Sequence, residues 1–409
     1  MRVGFNKQEI TPTKSMEMCG YAGNRLSQGV ADPLWVKALV FEQDAGLMGL
    51  LSYDLLAVDS YLKTQIQKQL TNSMELVLFA THTHQGPNRI IKSPFKSLFL
   101  EIAEPYHELL VDQSVRALKE AVAALETFDL SYGKNQVHGL YSNRHDLNHF
   151  FNPWLDVVKL VTPTQVLGLI SFSCHPTILK EDHVLFSKDL IAGIDAHLFG
   201  YDEWFFINGT AGDVSTRFLR TSSDQQQVNR TGRLLANIIM ATDTRPVPMV
   251  DNIMLSTRIF ALATKEPRAI SEIEKEERQL QQNLVSVQDL IERRQLETKI
   301  QGLQVEAEMQ EFLIKNRDVN LEVHIIDFGV FKVVTFPLEV FSILALDILK
   351  YHRQVIVASY VDGYFGYLVD EASYKARVYE AHSSVFRPLE AERLFEQVLA
   401  WLNETGNED

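Results

Sequence analysis

Trp35-Val36-Lys37-Ala38-Leu39-Val40-Phe41-Glu42 and Leu47-Met48-Gly49-Leu50-Leu51-Ser52-Tyr53 stand on either side of Asp44-Ala45-Gly46. Both runs read as strands, and so short a connection can only join antiparallel neighbours. The same pattern recurs twice. Asp156–Val161 and Val166–Phe172 flank Thr162-Pro163-Thr164, and Leu321–Phe328 and Val330–Phe336 flank Gly329. Between these pairs apolar residues recur at helical spacing, roughly over 58–71, 105–127, 188–199, 224–241, 338–351 and 388–404. Hairpins mixed with helices predict an α+β (mixed α/β) fold of mixed, largely antiparallel stacked sheets flanked by helices. A purely parallel doubly wound sheet fits less well. Residues 1–35 read as irregular, with turns at Thr11-Pro12 and Gly20-Tyr21-Ala22-Gly23.

Residues 267–316 differ from the rest. They are rich in Glu, Gln, Arg and Lys, with Ile270, Ile273, Leu280 and Leu284, then Leu296, Ile300, Leu303 and Ala307, at helical spacing. Pro267 suits a first helical turn, and Ser286-Val287-Gln288-Asp289 resembles a capping box opening a second helix. The segment predicts a protruding antiparallel helical hairpin, read as a solvated arm or a homo-oligomer contact rather than a catalytic element. The polar end, Asn403–Asp409, reads as frayed.

The 409 residues suffice for one large domain or two ordinary ones; 46% hydrophobic and 22% charged content are those of a globular chain with a sizeable core. A formal net charge of -14 argues against a nucleic-acid partner and against docking to anionic lipid. Cys19 and Cys174 lie in segments that read as interior, so no disulfide framework is indicated. The start, Met1-Arg2-Val3-Gly4-Phe5, lacks a basic-then-apolar leader pattern, and no apolar run approaches the ~20 residues of a membrane span. A soluble, cytoplasmic protein is expected.

The chemistry-bearing residues cluster at strand exits. Leu76-Val77-Leu78-Phe79-Ala80 reads as a buried strand and runs into Thr81-His82-Thr83-His84-Gln85-Gly86-Pro87. Two histidines two residues apart point to one side of an extended chain, and Gly-Pro turns the backbone away. Ser171-Phe172-Ser173-Cys174-His175-Pro176-Thr177 repeats the arrangement after a second strand. Asn208-Gly209-Thr210-Ala211-Gly212-Asp213-Val214-Ser215-Thr216 follows the run Trp204–Ile207 with small residues that let backbone approach a ligand. Ser215 can be a nucleophile, a hydrogen-bond donor or a helix cap, and no Gly-x-Ser-x-Gly elbow surrounds it. Glu339, in Phe336-Pro337-Leu338-Glu339-Val340-Phe341, is either a metal ligand or a first-turn glutamate on a helix dipole. Tyrosines crowd Asp362–Tyr367 and Tyr374–Glu380 as pocket walls or core. His82, His175 and Glu339 would make a two-histidine, one-carboxylate zinc set with an open position. Asp54, at the exit of another strand, is a candidate hydrogen-bond partner for a ligand histidine.

Several of these blocks, in this order, resemble the N-terminal catalytic domain of the neutral/alkaline, non-lysosomal ceramidases. The resemblance runs through Gly20-Tyr21-Ala22, Thr81–Pro87, Asn143-Arg144, Cys174–Thr177, Gly212–Ser215, Phe336–Glu339 and Tyr374 through Pro388, spanning nearly the whole chain. It implies one ceramidase-like domain over 1–409, with 267–316 inserted in it. It implies a zinc-dependent amidohydrolase that cleaves the N-acyl bond of ceramide, or of a related lipid-like N-acylated substrate, by metal-activated water. Position by position, the zinc ligands would be His82, His175, Glu339 and Tyr367. His84 would be the general acid/base, Ser215 the family's essential serine, and Tyr379 and Arg144 would orient substrate or stabilise the oxyanion. Thr216-Arg217 stands where characterised members have Pro-Asn, and the C-terminal immunoglobulin-like domain has no counterpart among these residues. The departures bear on the substrate. Other readings are a zinc hydrolase for a different ester or amide, and a non-catalytic metal-binding scaffold that assembles through the hairpin.

Overall fold

The computed structural model describes residues 1–21, 23–71, 73–93 and 100–405. The opening hairpin forms as read: β5 (Trp35–Gln43) and β6 (Gly46–Tyr53) pair antiparallel from Val36↔Tyr53 to Gln43↔Gly46. β1 (Arg2–Glu9) adds antiparallel to β5 and β7 (Met74–Ala80) parallel to β6, giving the order β1-β5-β6-β7. The N-terminal segment is therefore not all irregular. Its apolar signal is brief, because only Val3, Gly4 and Phe5 of β1 are buried.

Two further sheets repeat the plan. One is β8 (Asp129–Gln136), β10 (Trp154–Val161), β11 (Val166–Phe172), β13 (Glu203–Asn208) and β15 (Arg245–Pro246), ordered β13-β11-β10-β8-β15. The other is β16 (Met254–Ala263), β17 (Asp318–Asp327), β18 (Lys332–Thr335) and β20 (Val355–Ala358), ordered β16-β17-β18-β20. Each contains antiparallel hairpins plus one parallel pair: β6 with β7, β11 with β13, β18 with β20. Paired two-residue strands are β2 (Glu17–Met18) with β3 (Arg25–Leu26), β4 (Gly29–Val30) with β12 (Leu185–Phe186), β9 (Ser142–Asn143) with β14 (Val214–Ser215), and β19 (Glu339–Val340) with β21 (Tyr367–Leu368).

One face of each larger sheet turns to a shared core holding Phe41, Leu50, Phe79, Leu160, Leu169, Phe205, Ile326, Val333 and Ile356. Each such side chain contributes on the order of 1.5–3 kcal/mol by leaving water. Helices cover the outer faces. α1 (Ser60–Gln69) and α2 (Glu104–Ala123) lie over the first sheet, α3 (Leu190–Asp195) and α4 (Gln225–Met240) over the second, and α7 (Leu346–Tyr351) and α10 (Glu390–Glu404) beside the third. The short α8 (Glu371–Ala376) and α9 (Tyr379–Ser383) lie between β21 and α10. No helix among the described residues is long and apolar enough to cross a membrane.

The parallel pairs matter because their carboxyl ends meet. Ala80 N–H donates to Tyr360 O at 3.1 Å, Ser359 N–H to Asn208 O at 2.9 Å, and Asn208 Nδ2 to Thr81 O at 3.1 Å. Three sheets are thereby stitched together just past Ala80, Asn208 and Ala358. Open α/β sheets place ligands at such carboxyl ends.

The hairpin is α5 (Ile270–Ser286) and α6 (Leu290–Lys315). It is not wholly a solvated arm. α5 buries only Ile273, whereas α6 sinks Leu303, Met309 and Leu313 into the body. Ser286 closes the first helix, its hydroxyl donating back to Asn283 O, and the second helix starts four residues on, at Leu290. Pro267 precedes the first helix, which starts at Ile270. The helix expected over 338–351 starts only at Leu346, after a tight turn at Ser342–Ala345, so Glu339 is a strand residue and not a first-turn glutamate. Asn403 and Glu404 end α10; residues 406–409 lie outside the described residues, as does Ala22 of the Gly20–Gly23 turn.

Candidate metal centre

Four ligand-type side chains converge where the strand ends meet. His82 leaves β7 with a left-handed backbone, φ 67. Such strain in a non-glycine residue costs roughly 1–3 kcal/mol and persists where surrounding structure enforces it. His82 Nδ1 bonds Leu56 O at 2.7 Å, His84 Nδ1 bonds Gly20 O at 2.7 Å, and His175 Nδ1 bonds Ala211 O at 2.5 Å. A carbonyl only accepts, so each Nδ1 carries a proton, and in the neutral ring Nε2 is then the nitrogen with a lone pair. Those lone pairs crowd together. His82 and His84 Nε2 are 3.3 Å apart, and Glu339 Oε2 lies 3.2 Å from His82 Nε2 and 3.0 Å from His175 Nε2. The ligand atoms of the three histidines lie within 4.8 Å of one another.

Burial, then the Arg144 charge, pushes His175 down to about 4. Burial, then His82 and His175, pushes His84 well below its usual range. Both are neutral at pH 7. Burial opposes ionisation of Glu339, and its carboxyl is held well below the usual carboxylate range only where positive charge on His82 and His175 faces it, the place a metal cation would take among neutral rings. Lone pairs and a carboxylate facing each other repel unless a cation lies among them. The donor set of imidazole nitrogens and one carboxylate oxygen fits zinc.

The supporting contacts explain why these segments must be where they are. Gly212 lets two backbones touch: a Cβ there would lie 2.7 Å from Glu339 O and 2.8 Å from Val340 O. Asp213, next in sequence, is fully buried. Its Oδ1 accepts from Ser342 N–H at 2.8 Å and from the Ser342 hydroxyl, and its Oδ2 accepts from Asn143 Nδ2 at 2.7 Å. One carboxylate thus ties β9, the loop before β14 and the turn after β19 together. Gly20, φ 93, brings its carbonyl under His84, where a side chain would collide with the imidazole. Arg25 clamps the same loop, donating to His84 O at 3.1 Å and to Gln85 Oε1.

Glu339 and Tyr367 are register partners in the β19–β21 pair. The Tyr367 hydroxyl accepts from Arg144 Nη2 at 3.1 Å, so the candidate fourth ligand stands beside the carboxylate with a guanidinium on its oxygen. Arg144 also donates through Nε to Glu380 Oε1 at 2.8 Å and lies 3.5 Å from His175 Nε2 through Nη1. Ser215 is no helix cap. It sits in β14, and its Oγ accepts from Arg217 N–H at 3.2 Å. Asp54 does not support a histidine. Its Oδ2 accepts from Trp35 N–H, and burial raises its carboxyl to about 6 against the pull of Lys188 and Lys37. The His82 ring is held by a backbone carbonyl instead.

Three participants escaped the reading of the sequence. The Tyr364 hydroxyl donates to Glu339 Oε1, Tyr360 stacks on His82 with ring centroids 3.9 Å apart, and Glu380 anchors Arg144. Tyr364 and Glu380 belonged to the tyrosine-rich runs already singled out; nothing local marked which member would turn inward.

The centre opens into a cleft of about 1100 Å³. His84, Arg144, Ser215, Tyr367 and Tyr379 line it, together with Thr298, Gln301 and Val305 of α6. The hairpin, read as remote from chemistry, borders the site. It is docked by Glu306, which accepts from His382 Nδ1 at 2.7 Å and from Arg268 Nη1 at 2.9 Å. Burial alone would raise the Glu306 carboxyl, but His382, Lys265 and Arg268 hold it down to about 2. A depressed carboxylate contributes stability above its unfolded value, near 4.5, that is lost as pH falls toward 2. Amide exchange should therefore show α6 losing protection in wild type on acidification across that window. Glu306→Gln should be loosened already at neutral pH and flat in acid; equal profiles would refute the docking role.

Residues 1–190 match the family model described as neutral/alkaline non-lysosomal ceramidase, N-terminal. Neutral ceramidase from Pseudomonas aeruginosa is 27% identical over 213 residues, which are 46% of this chain and 32% of that protein. The chain thus spans about a third of the length of that curated relative. The crystal structure of neutral ceramidase from Pseudomonas aeruginosa superposes with a TM-score of 0.75 at 17% identity, covering 99% of this chain and 74% of that one. A structure described as ceramidase complexed with C2 gives 0.73 at 16%, covering 99% and 75%. At such identities the superpositions speak for the fold, and the sequence match speaks for the segment that carries His82, His84 and His175. Over residues 1–190 the chain is thus similar to the N-terminal domain of the neutral/alkaline non-lysosomal ceramidases, and over nearly its whole length it shares the fold of the solved ceramidase structures.

Proposed function

We propose that this chain is a zinc-dependent amidohydrolase that cleaves the N-acyl bond of ceramide or a related N-acylated amine. The observation that carries the reading is the convergence of His82, His84 and His175 Nε2 with Glu339 Oε2, each imidazole locked by a carbonyl on its far nitrogen. His82, His175 and Glu339, with Tyr367 beside them, would hold the ion. When bound, zinc supplies a Lewis acid and a water that ionises near neutral pH.

The chain's own groups divide the remaining work. His84 presents an unprotonated Nε2 toward the cleft, so it can take a proton from water and return it to the leaving nitrogen. Arg144 is pinned by Glu380 and Tyr367 before substrate arrives, and Tyr379 lines the same wall. A fixed guanidinium and a phenol are suited to the negative charge that develops on the carbonyl oxygen, with no reorganisation at the moment of reaction. Ser215 serves better as a hydrogen-bond partner than as a nucleophile. Among the described residues no imidazole or carboxylate hydrogen-bonds to it as a base would.

Metal analysis of purified protein should find about one zinc per chain. A zinc-replete screen against N-acyl amides, N-acyl sphingosine included, should release free amine. Full zinc occupancy with no amine released from any member would sink the amidohydrolase reading.

A further inference from the structure

α9 is only five residues long, Tyr379–Ser383, and both Tyr379 and Glu380 at its start line the cleft. A helix that short does not hold itself in water, so its place is set by what it touches. Its start, at Val378, has no side-chain cap. On β21 it meets Tyr367, whose ring lies 6.2 Å from that of Tyr379, edge to face. Much of the remaining grip comes from the helical hairpin and its root. Lys265, just ahead of α5, donates through Nζ to Ala381 O at 2.5 Å and to His382 O at 3.1 Å, closing the carbonyl end of α9. Burial brings Lys265 down to about 8, which leaves it mostly an ammonium at pH 7. Gly302 lets α6 touch α9: a Cβ there would lie 3.0 Å from His382 Cβ and 3.3 Å from its ring. One turn along α6, Glu306 Oε2 accepts from His382 Nδ1 at 2.7 Å, while Arg268 Nη1 holds the other oxygen. Arg377 also reaches Glu276 of α5 at 2.6 Å, but Arg377 is half exposed and that pair contributes little. Glu306 and His382 are buried, so neither can lose its partner without cost.

From α9 the contacts run inward. Glu380 accepts from Arg144 Nε at 2.8 Å and from Nη2, and Nη2 also donates to the Tyr367 hydroxyl at 3.1 Å. The guanidinium is thus aimed by a carboxylate that rides on α9, and α9 is seated on the hairpin. We propose that Glu306 and His382 are positioning residues for the reaction: through α9 they fix Glu380, and through Glu380 they aim Arg144 at the charge that develops on the carbonyl oxygen. This rests on the amidohydrolase reading of the metal centre. The hairpin is then a working part of the site and not only its border. Hydrogen-bond strength falls steeply with donor direction, so a small rotation of α9 is felt at the guanidinium.

The test uses the full chain loaded with zinc, an amide from the screen, and a probe that needs no turnover: a phosphonamidate whose tetrahedral P–O⁻ stands where the oxyanion would form. Glu306→Gln and His382→Ala approach the contact from its two sides. Each should keep about one zinc per chain, because the imidazoles are oriented by the Leu56, Gly20 and Ala211 carbonyls, none of them on α9. Each should bind the probe roughly 10- to 100-fold more weakly and lose kcat by a similar factor, with KM within about twofold, since the uncharged amide does not yet use the guanidinium. In an Arg144→Gln background, Glu306→Gln should cost less than about threefold further, because the group it acts through is gone. Leu235→Ala, a buried residue of α4, should lower Tm and leave the probe affinity unchanged. Wild-type probe affinity in both hairpin-contact variants overturns the proposal. So does an equal loss with and without Arg144, or a loss of the same size in Leu235→Ala. The expected losses of probe affinity, with no amide hydrolysed by wild type, uphold the positioning of Arg144 and sink the amidohydrolase reading. Amide hydrolysis by wild type, with probe affinity unchanged in both variants, does the reverse.

Discussion

Glu339→Gln should remove the metal and the activity together, yet leave the metal-free protein at least as stable as wild type. The glutamate is buried, and its Oε2 faces His82 Nε2 at 3.2 Å and His175 Nε2 at 3.0 Å. With zinc, that carboxylate is the one anionic oxygen in the proposed ligand set. Replacing it with a neutral amide should lower kcat/KM by at least about 10³-fold, or ~4 kcal/mol of transition-state stabilisation. Without zinc the same carboxylate is a buried charge facing lone pairs, which is unfavourable. The glutamine amide can donate to a histidine Nε2 and relieve that repulsion. Thermal melts with and without zinc separate the two effects. Wild type should gain on the order of 3 kcal/mol at a zinc concentration a hundred times Kd, and the variant should gain little. If the variant still binds one zinc per chain, or melts well below metal-free wild type, the carboxylate is structural and the metal centre is misassigned.

Gly212→Ala should damage the site without touching any ligand. A Cβ there would lie 2.7 Å from Glu339 O and 2.8 Å from Val340 O, both backbone atoms that cannot rotate away. Gly212 N–H also donates to Val340 O at 2.8 Å, so the two segments cannot part without losing that bond. β19 must therefore shift, and with it the Glu339 carboxylate and its register partner Tyr367. Overpacking of this kind costs about 1–3 kcal/mol. A displacement approaching 1 Å at a catalytic group can cost about 10²-fold in rate. The expected result is a folded protein with a lower Tm, weakened zinc binding and turnover reduced by about that factor. Wild-type zinc affinity and turnover would mean that the strand yields elsewhere and that this contact does not set the ligand position.

Much of the candidate centre was legible because its residues sit at strand exits. An apolar run ending at Ala80 and another ending at Phe172 each delivered a histidine, and strand period and turn residues are local properties. The hairpins were legible for the same reason. β1 was not, because only its first half is buried, and Glu339 was assigned to a helix because Leu338–Tyr351 carries helical spacing that the strand pairing with Tyr367 overrides. Asp54 was misread because a carboxylate at a strand exit looks the same whether it serves a histidine or caps Trp35 N–H. The hairpin was misread because charge and periodicity report that a helix has a wet face and a dry one. They do not report what the wet face borders.

By itself, the sequence determined which chemistry was on offer: imidazoles and a carboxylate at the ends of apolar strands, glycines where backbones must pass closely, and a charged helical pair. Only the tertiary structure decided that His82, His84, His175 and Glu339 share one point, that backbone carbonyls rather than carboxylates orient the imidazoles, and that α6 walls the cleft. The reason is physical. Element type follows from contacts among near neighbours in the chain, whereas convergence depends on which strand ends meet, and that is set by how three sheets pack around one core.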